Sequence, residues 1–178
     1  MRTLTTDRLD LRPVTDADTD DIAALHADPE VMRFLTGGVP ESRADVLAVA
    51  LPRLRRPGYW TARERGTGAF AGWFELVAVD GEPGTVELGY RLCRAAWGLG
   101  YATEGARALV AHGFTELGVR RVTANTMAVN AGSRRVMEKA GLSFVRAYHG
   151  DWPERIPGSE HGEVEYAVTR EQWTAGRA

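Results

Sequence analysis

Arg8-Leu9-Asp10-Leu11-Arg12 alternates polar and apolar residues up to Pro13, the period-two pattern of a half-buried strand. Thr15-Asp16-Ala17-Asp18 then offers capping oxygens ahead of Ile22 and Leu25, which predicts a short helix. Asp28-Pro29 restarts the chain into a further helical turn or two over Val31-Met32-Arg33-Phe34-Leu35, closed by Gly37-Gly38. Ser42 is placed to cap a helix carrying Val46, Leu47, Ala50 and Leu51, which Pro52 should end or kink. Residues 59–65, 69–79 and 85–92 read as strands, separated by Gly66-Thr67-Gly68 and Asp80-Gly81-Glu82-Pro83-Gly84. Such short glycine-bearing loops favour antiparallel hairpins.

The period then changes to that of a helix. Ala102, Ala106, Leu109, Val110, Gly113, Phe114 and Leu117 form one apolar stripe over residues 101–117, with Gly118 expected at the C′ position. Residues 121–126 read as a strand, 131–140 as a helix ended by Gly141, and 142–148 as a strand. A polar Pro/Gly segment (150–162) leads to a last strand at 163–169. No repeat or linker interrupts the order, so the expectation is one domain over residues 1–178: a mixed α/β fold, mainly antiparallel, with helices flanking a central sheet.

Composition removes several partners. The chain has 178 residues with 44% hydrophobic and 26% charged, ordinary for a globular domain. A net charge of −2 gives no general attraction for nucleic acid or an anionic membrane. Cys93 is the only cysteine, which excludes an internal disulfide and a cysteine-rich zinc site. His26, His112, His149 and His161 lack the spacing of a helical metal pair, so no metal is expected. Without a long apolar run or an apolar leader, the expected setting is cytoplasmic.

The segment Trp97-Gly98-Leu99-Gly100-Tyr101-Ala102-Thr103-Glu104-Gly105 lies between a strand and a helix. Small residues at 98, 100 and 102 admit a ligand to the main chain, and a helix start supplies free N–H groups for an anion such as a pyrophosphate. The plain alternative is a glycine turn with no ligand. A dinucleotide fingerprint fails because Thr103 stands where a third glycine or alanine belongs, and a P-loop fails because Lys139, the one lysine, is far away. The segment resembles the pyrophosphate motif of the GCN5-related N-acetyltransferases, Arg/Gln-x-x-Gly-x-Gly/Ala. Gly100 and Ala102 fill its small positions, and Trp97 replaces the leading Arg or Gln. Asn130-Ala131-Gly132-Ser133, followed by Lys139-Ala140-Gly141-Leu142, is similar to a second family motif. The opening 4–12 and closing 165–173 segments resemble the branch that includes the ribosomal-protein N-terminal acetyltransferases, the RimJ/RimL-like branch.

The resemblance implies direct acetyl transfer from acetyl-CoA to an amine, either a protein N-terminus or a small molecule. A module that binds coenzyme A without catalysis is the alternative. It also implies that strand 85–92 splays from strand 121–126, leaving main-chain groups near Leu92 and Arg94 for pantetheine and an N–H near Leu92 for the acetyl oxygen. Asn130 is either a helix N-cap or a pantetheine ligand. Ser133 is either a first-turn serine or a hydrogen-bond donor to the thiolate. Glu87 is either the general base or an ion-pair partner of Arg91, with Glu75 in reserve. Tyr101 and Cys93 read as packing residues. The acceptor is expected against the early helices and the segment 148–155, where Trp152 either gates the site or merely packs. Asp151, Glu154, Glu160 and Glu163 would supply negative potential for a cationic amine. A monomer and a homodimer both remain open.

Overall fold

The computed structural model describes residues 2–35, 38–150 and 156–176. Its strands are β1 (Leu4–Thr5), β2 (Leu9–Pro13), β3 (Tyr59–Glu64), β4 (Phe70–Ala78), β5 (Thr85–Leu92), β6 (Arg121–Met127), β7 (Ser143–Tyr148) and β8 (Glu163–Thr169). They form one sheet in the order β1-β2-β3-β4-β5-β6-β8-β7. Every neighbouring pair is antiparallel except β5 and β6, which run parallel. The expected mixed, mainly antiparallel sheet is what the chain builds.

Alternation along β4 sends successive side chains into two cores. Phe74 and Leu76 join Leu88, Leu109, Val110 and Phe114 beneath α5 (Tyr101–Thr115). Trp73 faces the other way, into a cluster with Ile22, Leu25, Val46, Leu51 and Leu54. That second face is covered by α1 (Thr19–His26), α2 (Pro29–Met32), α3 (Arg43–Asp45) and α4 (Leu51–Leu54). Asp18 ties this cap to the sheet: fully buried, it accepts from Arg12 at 2.6 Å and from Arg63 at 3.1 Å. No described helix is long and apolar enough to cross a membrane.

Pro52 neither ends nor sharply breaks its helix. The turn before it, Val46–Ala50, is wound as a π-helix, and Leu51 N–H reaches back five residues to Val46 C=O. That wider turn fits the chain to a proline that cannot donate an N–H. The long helix is shorter than its apolar stripe suggests. It stops at Thr115, leaving Leu117 about half exposed and Gly118 (φ +68°) one position beyond C′. Two elements escaped the sequence pattern: β1, only two residues long, and α7 (Arg170–Ala175). The latter opens with a capping box between Thr169 and Gln172. Gly37, expected to help close the second helix, lies outside the described residues.

The closest helix–sheet approach is at Gly105. A Cβ there would meet the Phe74 ring at 2.3 Å. Alanine gains about 1 kcal/mol in helix propensity over glycine, whereas forcing a methyl into a filled core costs about 1–3 kcal/mol. With a ring rather than a flexible chain end in the way, the clash should win. Gly105→Ala is expected to lose about 1–2 kcal/mol in urea unfolding; unchanged or increased stability would contradict this packing.

Candidate functional site

The sheet opens in its middle. β5 and β6 pair at Thr85–Arg121, Val86–Val122 and Glu87–Thr123, and the ladder then stops although both strands continue. Cys93 N–H donates to Ala71 C=O, and Val79 N–H to Thr85 C=O. In the β4–β5 register this gives the odd-numbered residues of β5 to β4. The even-numbered residues therefore turn their main-chain groups toward β6; the last pair uses the Leu88 N–H, and beyond it the Leu88 C=O and the main-chain groups of Tyr90 and Leu92 face the opening. The result is a sheet edge in the middle of a sheet, exposed to a cleft of about 1100 Å³.

At the C-terminal end of β5 the glycine segment enters α5. Gly98 and Gly100 adopt φ of +75° and +83°, a backbone that favours glycine, and nothing lies within 4 Å of a Cβ built on Gly98. Gly100 is the N-cap and supplies no side chain, so the N–H groups of Tyr101, Ala102 and Thr103 lack a preceding helical turn to bond. A clamp fixes this loop from the far side of the sheet. Glu104 accepts from Thr6 Oγ1 at 2.6 Å, and from Arg8 N–H and Nε, each at 2.7 Å. Arg8 Nη1 then donates to Leu99 C=O at 2.8 Å, and its guanidinium lies 4.8 Å from the Tyr101 ring centre. Tyr101 itself is buried, its hydroxyl donating to Glu64 at 2.6 Å, as a packing residue would. Trp97 donates its indole N–H to Leu92 C=O at 2.9 Å, tying the loop to the end of β5.

Cleft-lining residues include Glu87, Leu92, Trp97, Gly98 and Gly100, with Ala102, Thr103, Asn130 and Ser133 completing the expected set there. Leu99 and Tyr101 are not among the cleft-lining residues: Leu99 is exposed and Tyr101 is buried. Arg94 is turned elsewhere: it lines a separate small cavity with Asp21, Asp28 and Cys93, and its C=O accepts from Trp97 N–H. Asn130 caps α6 (Ala131–Lys139), accepting from Ser133 N–H at 3.2 Å while its amide NH₂ donates to Thr126 Oγ1. Burial raises the Cys93 thiol to about 11, which removes it as a nucleophile.

Three further groups belong to the cleft, of which only Tyr90 was given no role by the sequence. Tyr90 bridges from β5 to Ser133, its hydroxyl 3.0 Å from both Ser133 Oγ and Ser133 C=O; burial raises its pKa, so it stays a neutral phenol. Glu75, held in reserve, packs against Gly89, where a Cβ would meet its Oε1 at 2.3 Å. Burial raises the Glu75 pKa against the opposing pull of Arg53 and a Tyr59 hydrogen bond, and Glu87 raises it further. Arg91 is 92% buried by its 8% exposure, and sets Nη1 3.0 and 3.1 Å from the two ring nitrogens of His26. Its place on the face shared by Glu87 and Gly89 was readable from strand alternation; its burial was not.

Glu87 accepts from Asn125 Nδ2 at 3.1 Å instead of pairing with Arg91. Asn125 in turn accepts from Tyr148, whose hydroxyl also reaches Glu163 at 3.0 Å. The early helices do border the cleft, through Val31, Phe34, Glu41, Val49 and Arg53. Glu160 and Glu163 are spent on Gly158 N–H and Tyr148 and do not line it. Asp151, Trp152 and Glu154 lie outside the described residues.

Comparison with known proteins agrees with this geometry. Residues 8–143 match the family model "Acetyltransferase (GNAT) domain". An Aspergillus fumigatus protein, FsC-acetyl coenzyme A-N(2)-transacetylase, is 35% identical over 96% of this chain and 77% of its own. A GNAT-family acetyltransferase structure from Bacillus anthracis superposes with a TM-score of 0.82 at 23% identity, covering 96% of this chain and 99% of that one. RimL, a ribosomal alpha-N-protein acetyltransferase in complex with coenzyme A, shares the fold with a TM-score of 0.78 at 16% identity over 94% and 98% of the two chains.

The clamp on the glycine loop can be tested without any ligand. Burial of Glu104 favours its neutral form, but hydrogen bonds from Thr6 and Arg8 outweigh it and hold the pKa below the ordinary 4.5. A depressed carboxylate stabilises the fold fully above its unfolded pKa and loses that contribution as pH falls through the folded value. Glu104→Gln should therefore cost about 1–2 kcal/mol at neutral pH, and the difference from the unaltered protein should shrink as pH drops below 4.5. Urea unfolding at both pH values reads this; a pH-independent difference would contradict it.

Proposed function

Because the chain belongs to the GNAT acetyltransferase family, we propose that its cleft moves an acetyl group from acetyl-CoA directly to a primary amine, using the residues that surround the open β5 edge. Acetyl-CoA is the cosubstrate and supplies the thioester. The observation that carries the assignment of parts is the end of the β5–β6 ladder at Glu87–Thr123, beside a glycine loop at a helix start. The N–H groups of residues 98–103 take the pyrophosphate. Main-chain groups of Leu88, Tyr90 and Leu92 pair with the pantetheine amides as a missing strand would, and an N–H of this edge, at or near Leu92, bonds the acetyl oxygen as charge builds on it. Trp97 acts through Leu92, holding the loop on the strand, and Asn130 orients Ser133 as an N-cap. Arg94, turned from the cleft, has no part in this assignment.

An ammonium must lose a proton before its nitrogen can attack. Glu75 is the acceptor in this reading: it lies at Gly89 in the opening, and a carboxylate raised by burial is a better base than an ordinary one. Glu87, oriented by Asn125, holds the ammonium in place. As the C–N bond forms and the C–S bond breaks, the second proton leaving the nitrogen ends on the departing sulfur. Ser133 Oγ, fixed by Tyr90, hydrogen-bonds that sulfur. Cationic amines meet the carboxylates of Glu75 and Glu87 from the face opposite α5, where the early helices form the cleft wall. The acceptor is a small-molecule amine or a peptide N-terminus.

Thiol release from acetyl-CoA across an amine panel tests the reading. Turnover is expected, with kcat/KM rising with pH through the elevated Glu75 pKa. Glu75→Gln should cut kcat about a hundredfold and remove that rise, while Ser133→Ala should lower kcat with little change in acetyl-CoA affinity. A melting shift with acetyl-CoA but no thiol release would leave a coenzyme A-binding module instead. An unaltered pH profile in Glu75→Gln would return the base to Glu87.

A further inference from the structure

Arg91 is a charged group in a place that costs it solvation. Only 8% exposed, it lies on the floor of the cleft, and burial pulls its pKa down to about 10. Among the described residues no carboxylate comes within ion-pair distance of it. The carboxylates that favour its charge, Glu41 and Glu75, act from beyond that distance and bond elsewhere: Glu41 to His26 Nδ1 at 3.0 Å, and Glu75 to the Tyr59 hydroxyl. Nη1 rests on an imidazole and on the Met32 sulfur at 3.3 Å, neither of which returns a charge. Nε is buried with no partner at all. A guanidinium donor taken from water without a replacement partner is unfavourable.

A second cation makes the arrangement stranger as a purely structural one. Arg53, exposed on the cleft wall, places its guanidinium 5.9 Å from the Trp73 ring centre, and Arg91 stands 5.2 Å from the same centre. Arg53 disfavours the charge on Arg91, and an anion between or beside the two guanidiniums would favour it. A guanidinium with free donors matches a carboxylate in shape and charge.

We infer that the acceptor is a primary amine that also carries a carboxylate, which Arg91 and Arg53 bind beside Trp73 while the amine end lies at Glu75. This rests on the transferase reading of the same cleft. Spacing along β5 sets the reach. Gly89 and Arg91 share a face two residues apart, about 7 Å at the usual strand rise, so a short chain of carbons separates the two ends of the substrate. The pattern is bipolar: carboxylates for the ammonium, arginines for the anion.

The experiment compares β-alanine, γ-aminobutyrate and ε-aminocaproate, each against its own carboxamide, as acceptors with acetyl-CoA. The acids should exceed their amides by about tenfold or more in kcat/KM for at least one chain length, the size of a charge-assisted pair. In Arg91→Gln that acid-to-amide ratio should fall to near one; Arg53→Gln, a substitution on the surface, should lower it severalfold and guards against a misfolded Arg91 variant. Equal turnover of acids and amides by the unaltered protein, or an unchanged ratio in both variants, overturns the inference. If no amine releases thiol, the transferase reading fails on this panel. The arginine site is then still read from melting shifts in the presence of coenzyme A: acids that stabilise more than amides, in a manner dependent on Arg91, support it, and equal shifts overturn it.

Discussion

The proposed function depends on hydrogen bonds that two neighbouring strands do not make. β5 and β6 share three paired positions and then part, so a run of backbone donors and acceptors stands open at the centre of an eight-stranded sheet. Open edges are a liability when they lie at the outside of a sheet. Here the opening is kept by what surrounds it. β5 is held by its full ladder to β4, and β6 by its seven-position ladder to β8, so neither strand can shift to close the gap without losing the other partner. On one side α6 and α5 bridge the two halves; on the other the early helices stand back and leave a cleft.

The two faces of the opening have been given different chemistry by the alternation of β5. Leu88, Tyr90 and Leu92 face the helices, where the Tyr90–Ser133 hydroxyl pair spans the gap. Glu87, Gly89 and Arg91 face the early helices and the acceptor space. Glycine at 89 lets the Glu75 carboxylate rest against the strand backbone. An enzyme of this kind must bring a thioester and a cationic amine together from different directions, and a splayed sheet does so by using its in-plane edge for one and its face for the other. The glycine loop adds a third anchor at the strand's end, kept rigid by the contact of Arg8 and Glu104 behind it.

Much of this was legible in the sequence because it is local. Period-two and period-3.6 patterns gave the meander and the long helix, and the small residues at 98, 100 and 102 marked the open loop at its start. The capping Asn at 130 read correctly as a helix start. What was hidden is long-range or depends on burial. Nothing local tells that Arg8 reaches Glu104 across 96 positions, or that His26, Trp73 and Arg91 meet under the cleft. Glu75 read only as the reserve base, because the room that Gly89 on the neighbouring strand makes for it is not local. Leu117 fitted the helical stripe, yet the helix frayed before it. The Thr169-to-Gln172 capping box was present in the sequence, but its helix is only six residues long and carries no apolar stripe.

The central claim is that the unpaired edge of β5 and the adjoining glycine loop hold acetyl-CoA through main-chain groups. Amide hydrogen exchange followed residue by residue, with and without acetyl-CoA, tests it most directly, because it reads those groups themselves. The account predicts slowed exchange concentrated at Tyr90 and Leu92 and at residues 98–103, with Leu88, already bonded to β6, and the odd-numbered positions of β5, already bonded to β4, much less affected. Protection located elsewhere, or spread evenly along β5 without regard to parity, would contradict it.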